Sequence, residues 1–340
     1  MEGPTSKPLS YDALKSVIKS MSVETRHELH TYLPSLRVTN SLLPYAMKRV
    51  RIMRKEVSIN DMSWSFGFRS EKSDPNQTTV SFYDRISVKR TPNFPVKKSL
   101  ETAVEQCFNV YCKDGSIIQD LDLCRVPKFL CERDGGLKLS ISRFQTYGVN
   151  VDDIDYFIRF MDLDKLERVH LTISRERDAP SEKEFGMLEK PVFINCKELY
   201  LKINIHRELP INYFFDLRNE TLVLEHDRLC VNDLQKLIEN WKTSDRPIGT
   251  TFCFVSYDGD VPITKMLNRL KLQYHFPVYV SCDSTEQIKG IGMKMDEHRN
   301  LVLYLGKHQI RTKTFSALKM EVMERGLEEK NEITRPCTSA

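Results

Sequence analysis

The chain has 340 residues, of which 40% are hydrophobic, and its 17 Phe and 13 Tyr supply enough apolar area to exclude a wholly disordered polypeptide. The 51 basic and 47 acidic residues nearly cancel, and a net charge of +4 is too small for the basic surface that nucleic-acid binding requires. No run approaches the ~18 apolar residues that would span a membrane, and the polar first ten residues predict no signal peptide.

Three short amphipathic helices are predicted at the start of the chain, over 10–20, 22–32 and 34–43. Serines precede the first two as N-caps, and a proline begins the third. The predicted apolar faces contain Leu14, Val17 and Ile18 in the first helix, Leu29 and Leu33 in the second, and Leu36 with Leu42 or Leu43 in the third. Such helices are too few to form a domain alone, so they either dock to a partner or cap the core of the body.

Residues 48–96 are predicted to form a β-rich section and a linker. Apolar and polar residues alternate over 49–53, 57–60, 63–68 and 79–88. The polar residues 70–78 predict a loop. Two prolines within 89–96 predict a linker rather than a strand.

From residue 97 the sequence predicts an α/β body that extends to 330, followed by a flexible tail over 331–340. Helices are predicted from 99 to 111 and over 151–161, 231–241 and 314–330. Strands are predicted over 117–123, 137–141, 166–173, 196–203, 221–224 and 250–256. The helix over 231–241 has Asn232 as its predicted cap and Trp241 on its apolar face, where the indole is expected in the core.

Several of these strands share the pattern L-x-x-L/V-x-L. Their centres at Leu139, Leu171, Leu201 and Leu224 lie 32, 30 and 23 residues apart. Spacing of that order, with helices or turns between strands, favours a degenerate leucine-rich-repeat-like αβ stack. A doubly wound sheet is the alternative, and the absence of a glycine-rich phosphate loop after any strand argues against it.

The residue types that carry catalysis or hold metals do not form a convincing set. The pairs Cys107–Cys112 and Cys124–Cys131 are spaced too widely for a structural zinc site, and His27 has a second histidine three residues on but no third ligand. No nucleophile elbow and no Walker-type phosphate loop is present. We therefore expect a protein that is not an enzyme and that has no cofactor and no metal.

The surroundings of the nine cysteines indicate the cellular compartment of the protein. Most lie in apolar surroundings, such as Cys253 between Phe252 and Phe254. That setting is typical of reduced, buried thiols and predicts an intracellular protein, cytoplasmic or nuclear.

Six segments carry a family resemblance: 8–18 (PLSYDALKSVI), 32–36 (YLPSL), 49–52 (RVRI), 126–130 (VPKFL), 237–241 (LIENW) and 246–250 (RPIGT). Together they resemble a nematode-expanded family of F-box-like and F-box-associated proteins. The resemblance implies an F-box-like helical segment over 1–47 and an F-box-associated body over 97–330.

An F-box is a three-helix segment that docks on the Skp1 subunit of a cullin–RING ubiquitin ligase, while the rest of the chain binds the substrate. The resemblance therefore implies a Skp1-like partner and a protein substrate, and no nucleic-acid or membrane partner. The docking residues that it implies are Pro8, Leu9, Leu14, Val17, Ile18, Leu33 and Leu36. The alternative is a structural or scaffolding protein whose N-terminal helices only cap its own core.

Overall fold

The computed structural model describes residues 10–67, 76–85, 89–91, 93–124, 126–147, 151–174, 185–204, 209–227, 229–256, 260–271, 276–282, 286–310 and 313–325. Pro8, Leu9 and the predicted tail over 331–340 lie outside these ranges, as does most of the loop predicted over 70–78. The chain divides into two compact units, Met1–Leu166 and Glu167–Ala340. The architecture is α/β, with an N-terminal helical segment and an extensive β-sheet.

The N-terminal segment forms helices α1 (Tyr11–Ser20), α2 (Val23–Tyr32) and α3 (Arg37–Leu42), with a 3₁₀ turn over Pro34–Leu36. The predicted serine caps are confirmed: the hydroxyls of Ser10 and Ser22 each accept a hydrogen bond from the backbone N–H three residues on, at 3.2 Å. The third predicted helix is split, because the chain turns tightly after Pro34 before α3 begins.

The β-rich section of unit 1 consists of β1 (Ala46–Met53), β2 (Glu56–Ile59), β3 (Met62–Gly67), β4 (Thr78–Asp84), β5 (Lys89–Arg90) and β6 (Phe94–Val96). Strands β1 to β4 form an antiparallel meander. The prediction of a linker over 89–96 is wrong, because β5 and β6 both pair with β4. Pro95 is tolerated in β6 because, among the described strands, β6 pairs with β4 alone.

The rest of unit 1 contains α4 (Leu100–Tyr111), β7 (Ile117–Leu123), α5 (Lys128–Cys131), β8 (Ser140–Tyr147) and α6 (Val151–Ile158). Strand β7 lies between β1 and β8 and pairs with both in parallel. Val50 and Leu121 are paired at equivalent positions, as are Ile52 and Leu123, and all four are buried. Buried residues on alternate positions leave the intervening polar residues on the opposite face.

Unit 2 begins with β9 (Arg168–Ser174), α7 (Pro191–Ile194), β10 (Glu198–Asn204), β11 (Thr221–Glu225), α8 (Val231–Thr243), β12 (Thr251–Val255) and α9 (Asp260–Lys271). Strands β9 to β12 pair in parallel in the order of the chain. Trp241 of α8 is fully buried, as predicted for the core. The cap of α8 is Cys230, whose sulfur accepts from the Asp233 N–H at 3.3 Å, so the prediction of Asn232 is wrong.

Four antiparallel strands end the unit: β13 (Phe276–Cys282), β14 (Glu286–Lys294), β15 (Arg299–Ile310) and β16 (Lys313–Glu324). The helix predicted over 314–330 is wrong, since β16 pairs with β12 and β15. The reason lies in the period of the apolar residues: Leu318, Met320 and Val322 are fully buried at every second position, which places them on one face of a strand.

Candidate docking surface

Helix α1 divides its predicted docking residues between the surface and the core. Val17 is 40% exposed and Leu14 is half-buried, whereas Ile18 is 1% exposed. An outward-facing docking surface therefore does not include Ile18, because its side chain is enclosed by the same chain. Amphipathic periodicity identifies an apolar face but does not say whether that face meets the body or a partner.

Large apolar side chains are also exposed on α3 and in the turn that precedes it. Leu33 is 44% exposed and Leu36 is half-buried. Val38 and Leu42, which are 71% and 70% exposed, lie four residues apart and therefore share one face of α3. The exposed large apolar side chains of the segment, hereafter the helical surface, are Tyr11, Val17, Tyr32, Leu33, Val38 and Leu42.

A buried arginine of α2 binds the C-terminal end of α3. The Arg26 guanidinium, 1% exposed, donates from Nε to Asn40 Oδ1 at 2.8 Å, and from Nη1 and Nη2 to the carbonyl oxygens of Pro44 and Leu43 at 2.7 and 3.0 Å. It also lies 3.7 Å from the centre of the Tyr45 ring. Arg26 thereby satisfies carbonyl groups at the C-terminal end of α3 that no helix turn can satisfy.

A second cation, Lys113 in the connection between α4 and β7, binds the same end of α3. Lys113 Nζ donates to the carbonyl oxygens of Asn40 and Leu43 at 3.2 and 3.4 Å. Burial, together with the nearby Arg26 charge, lowers the pKa of Lys113 to about 8. Hydrogen bonds from Lys113 therefore join the helical segment to the rest of unit 1.

His27, weighed in the sequence as a metal ligand, instead belongs to an aromatic cluster. Its Nδ1 lies 2.8 Å from the hydroxyl of Tyr111, and its ring lies 5.6 and 6.0 Å from the rings of Phe82 and Trp64. Burial, followed by the charge of His30, lowers the pKa of His27. Within the described ranges, no three His, Cys, Asp or Glu side chains come together as a metal site.

The cysteines considered for zinc have ordinary packing surroundings. Cys112 is buried, and burial raises the pKa of its thiol to about 12. Burial also raises the pKa of Cys107, with the nearby Cys112 as the second cause. Among the described residues, neither thiol belongs to a group of three or more side chains that could hold a metal ion.

The sheet face of unit 1 opposite the buried residues is polar. Arg49 and Arg51 of β1 both direct Nη2 to the same oxygen of Asp122 on β7, at 2.7 and 3.0 Å. The Asp122 side chain is 3% exposed, and its hydrogen bonds raise the pKa of Arg49. On the same face, Arg143 Nη2 donates to Asp120 Oδ2 at 2.7 Å. This polar sheet face comprises Arg49, Arg51, Asp120, Asp122 and Arg143.

Unit 2 has a polar cluster on its own parallel strands. Tyr200 and Lys202 of β10 both donate hydrogen bonds to Glu225 of β11, whose side chain is only 2% exposed. The ring of His170 on β9 lies 4.2 Å from that of Tyr200. Hydrogen bonds to a carboxylate are strong, so the two donors fix the position of the buried Glu225 side chain, and Glu225 in turn fixes Tyr200 and Lys202 on this face of the strands.

Comparisons with known proteins give one finding. Residues 121–258, fewer than half of the 340, match the model of a domain of unknown function, DUF3557. No curated protein and no solved structure matches the chain. Among the described residues no helix is both long and apolar enough to cross a membrane.

Proposed function

We propose that this chain is a non-enzymatic, intracellular protein-interaction adaptor. Its helical segment docks on a Skp1-like subunit of a cullin-type ubiquitin ligase, and its body binds a protein substrate. The observation that carries the proposal is the helical surface, which exposes Val38 and Leu42 on one face of α3, while Arg26 holds the end of that helix by hydrogen bonds to Asn40. The family resemblance of the N-terminal segment supplies the identity of the partner.

The arrangement of the body supports the substrate-binding part of this proposal. Strands β9 to β12 are added in chain order and in parallel, as in a leucine-rich-repeat-like stack. Repeat stacks bind partners along extended strand faces, and on this stack Lys202 and Glu225 form an ordered pair of charged groups.

Binding of the full-length chain to a purified nematode Skp1-like subunit tests the proposal. Apolar anchors at the centre of an interface carry most of its affinity, so Val38→Glu and Leu42→Glu are each expected to weaken binding at least tenfold. Ile248→Glu in unit 2, 53% exposed, is the matched control and should leave binding unchanged. Absence of binding at micromolar concentrations, or an equal loss in the control, would reject the proposal.

A scaffolding role is the second candidate, and the burial of Ile18 and Arg26 favours it. In that case the helices serve only the core of the chain, and the exposed face of α3 has no partner. Binding of the wild type and of Val38→Glu to the Skp1-like subunit separates the two, with circular dichroism as the check that the variant is folded. Under the adaptor role the variant stays folded and loses Skp1-like binding, whereas under the scaffolding role neither the wild type nor the variant binds.

A further inference from the structure

A cavity of about 360 Å³ lies within unit 1, beyond the C-terminal ends of β1 and β7. Met53 and Arg54 line it from the end of β1, and Val126, Lys128 and Phe129 line it from the segment after β7. The first turns of α4 close it on a third side. No residue of the helical surface contributes to this cavity, so it is independent of the proposed docking.

The topology of unit 1 places this cavity at a switch point. Strand β1 leads by a tight turn into β2 on one side, whereas its parallel neighbour β7 leads through α5 into β8 on the other. Two adjacent parallel strands whose chains leave in opposite directions open a crevice at their carboxyl ends. Open α/β sheets bind their ligands in that crevice, so the cavity occupies the position at which a ligand is expected.

The floor of the cavity is apolar. Val104 and Val126 are each 4% exposed, and the half-buried Phe129 ring is held 5.6 Å from the ring of Phe108. A hydrocarbon or aromatic group placed on this floor would remove apolar area from water, which is favourable at about 25 cal/mol per Å².

The rim is charged. Arg54 and Lys128 are exposed cations, and Glu101 is the only acidic residue among the described residues that line the cavity. Lys128 Nζ lies 3.6 Å from Glu132 in an exposed pair one helical turn apart, and exposed pairs of this kind contribute little to stability. Lys128 can therefore turn toward a ligand at little cost. The lining residues that the structure describes carry one net positive charge, from Arg54, Lys128 and Glu101.

We propose that this cavity is a binding site for a small amphipathic carboxylate. The apolar body lies on Val104, Val126 and Phe129, and the carboxylate is bound by Arg54 and Lys128. A guanidinium is suited to bidentate recognition of a carboxylate, and the ammonium adds a second positive charge.

Octanoate is the probe, and calorimetric titration of the full-length chain measures its binding. The expected dissociation constant is about 1 mM or tighter, with binding of 1-octanol at least tenfold weaker and no binding of octyltrimethylammonium. The three probes share the apolar chain and differ in the head group. Equal affinity for octanoate and octanol, or no binding of octanoate, would overturn the proposal.

Variants locate the site. The double variant Arg54→Ala/Lys128→Ala should weaken octanoate binding at least tenfold, and Leu100→Trp should abolish it by filling the cavity from the first turn of α4. Lys48→Ala removes an exposed charge from β1 outside the cavity and should change affinity less than twofold. If Lys48→Ala weakens binding as much as the double variant, the carboxylate is bound by surface charge and the site is rejected. Should Leu100→Trp fail to fold, the double variant decides alone.

Discussion

Arg26 and Asn40 exchange hydrogen bonds that join α2 to α3. Arg26 Nε donates to Asn40 Oδ1 at 2.8 Å, and Asn40 Nδ2 donates back to the Arg26 carbonyl oxygen at 3.1 Å. Both residues are at most 1% exposed, so the Asn40 side chain supplies the buried Arg26 guanidinium with an acceptor that water would otherwise supply. The relationship fixes the helix that exposes Val38 and Leu42.

Replacing Asn40 by alanine should therefore destabilise unit 1 by about 2–3 kcal/mol, because the Arg26 guanidinium would keep its charge and lose a buried acceptor. Urea unfolding followed by circular dichroism measures the loss. Ser41→Ala is the matched control on α3: its exposed hydroxyl donates to the carbonyl of Val38, and its removal should cost about 0.5 kcal/mol or less. Equal unfolding midpoints for Asn40→Ala and the wild type would contradict the role assigned to this pair.

The stability of unit 1 should fall on mild acidification through His27. Burial lowers the pKa of His27 below its ordinary value of 6.5, so in this window the unfolded chain binds a proton that the folded chain does not. The contribution of neutral His27 to the free energy of unfolding is fully present above pH 6.5, the pKa in the unfolded chain. It is lost as the pH falls from 6.5 through the lower pKa of the folded state.

Urea midpoints between pH 7 and pH 5 measure this loss, and His27→Gln should show a smaller one than the wild type. Tyr111→Phe removes the hydroxyl 2.8 Å from Nδ1 but leaves the ring buried, so most of the pH dependence should remain. A wild type and a His27→Gln variant with parallel pH profiles would show that another group is responsible.

The two aspartates of the polar sheet face should differ sharply in their contribution to stability. Asp122, 3% exposed, accepts from both Arg49 and Arg51, and Asp122→Asn leaves two neighbouring guanidiniums without their shared anion. We expect a loss of about 3 kcal/mol. Asp120 on the same strand is 35% exposed and pairs with Arg143, so Asp120→Asn should cost about 1 kcal/mol or less. Similar losses on thermal unfolding would show that burial does not set the strength of these pairs.

The strands were predictable where apolar residues kept a simple period. Strand β7 was predicted with its observed bounds, Ile117–Leu123, because Leu121 and Leu123 alternate with aspartates. Helix α9 was not predicted: a proline in its first turn and the adjacent glycine of 258–260 favour a turn when the sequence is read locally. The predicted C-terminal helix failed because its dense charges concealed the two-residue period of Leu318, Met320 and Val322.

The docking surface was predictable only in part. The sequence places Leu42 and Leu43 side by side, yet Leu42 is 70% exposed and Leu43 is 6% exposed, since the helix ends between them. The contact of Arg26 with Asn40 has no signal in the sequence, because it depends on how α2 and α3 pack across 14 residues. Which apolar side chains remain exposed is decided by that packing.

Gly290 of β14 should tolerate no side chain, because β15 approaches it closely. A Cβ at this position would lie 2.7 Å from the carbonyl oxygen of Leu303, a backbone atom that cannot move without disturbing its strand. Gly290→Ala is therefore expected to destabilise unit 2 by about 1–3 kcal/mol. At Gly186 the same change meets nothing within 4 Å, and the local φ of −58° suits alanine, so Gly186→Ala should be neutral or slightly stabilising. Thermal unfolding of the two variants measures the difference, and a Gly290→Ala protein as stable as Gly186→Ala would show that β14 and β15 can separate locally at no cost.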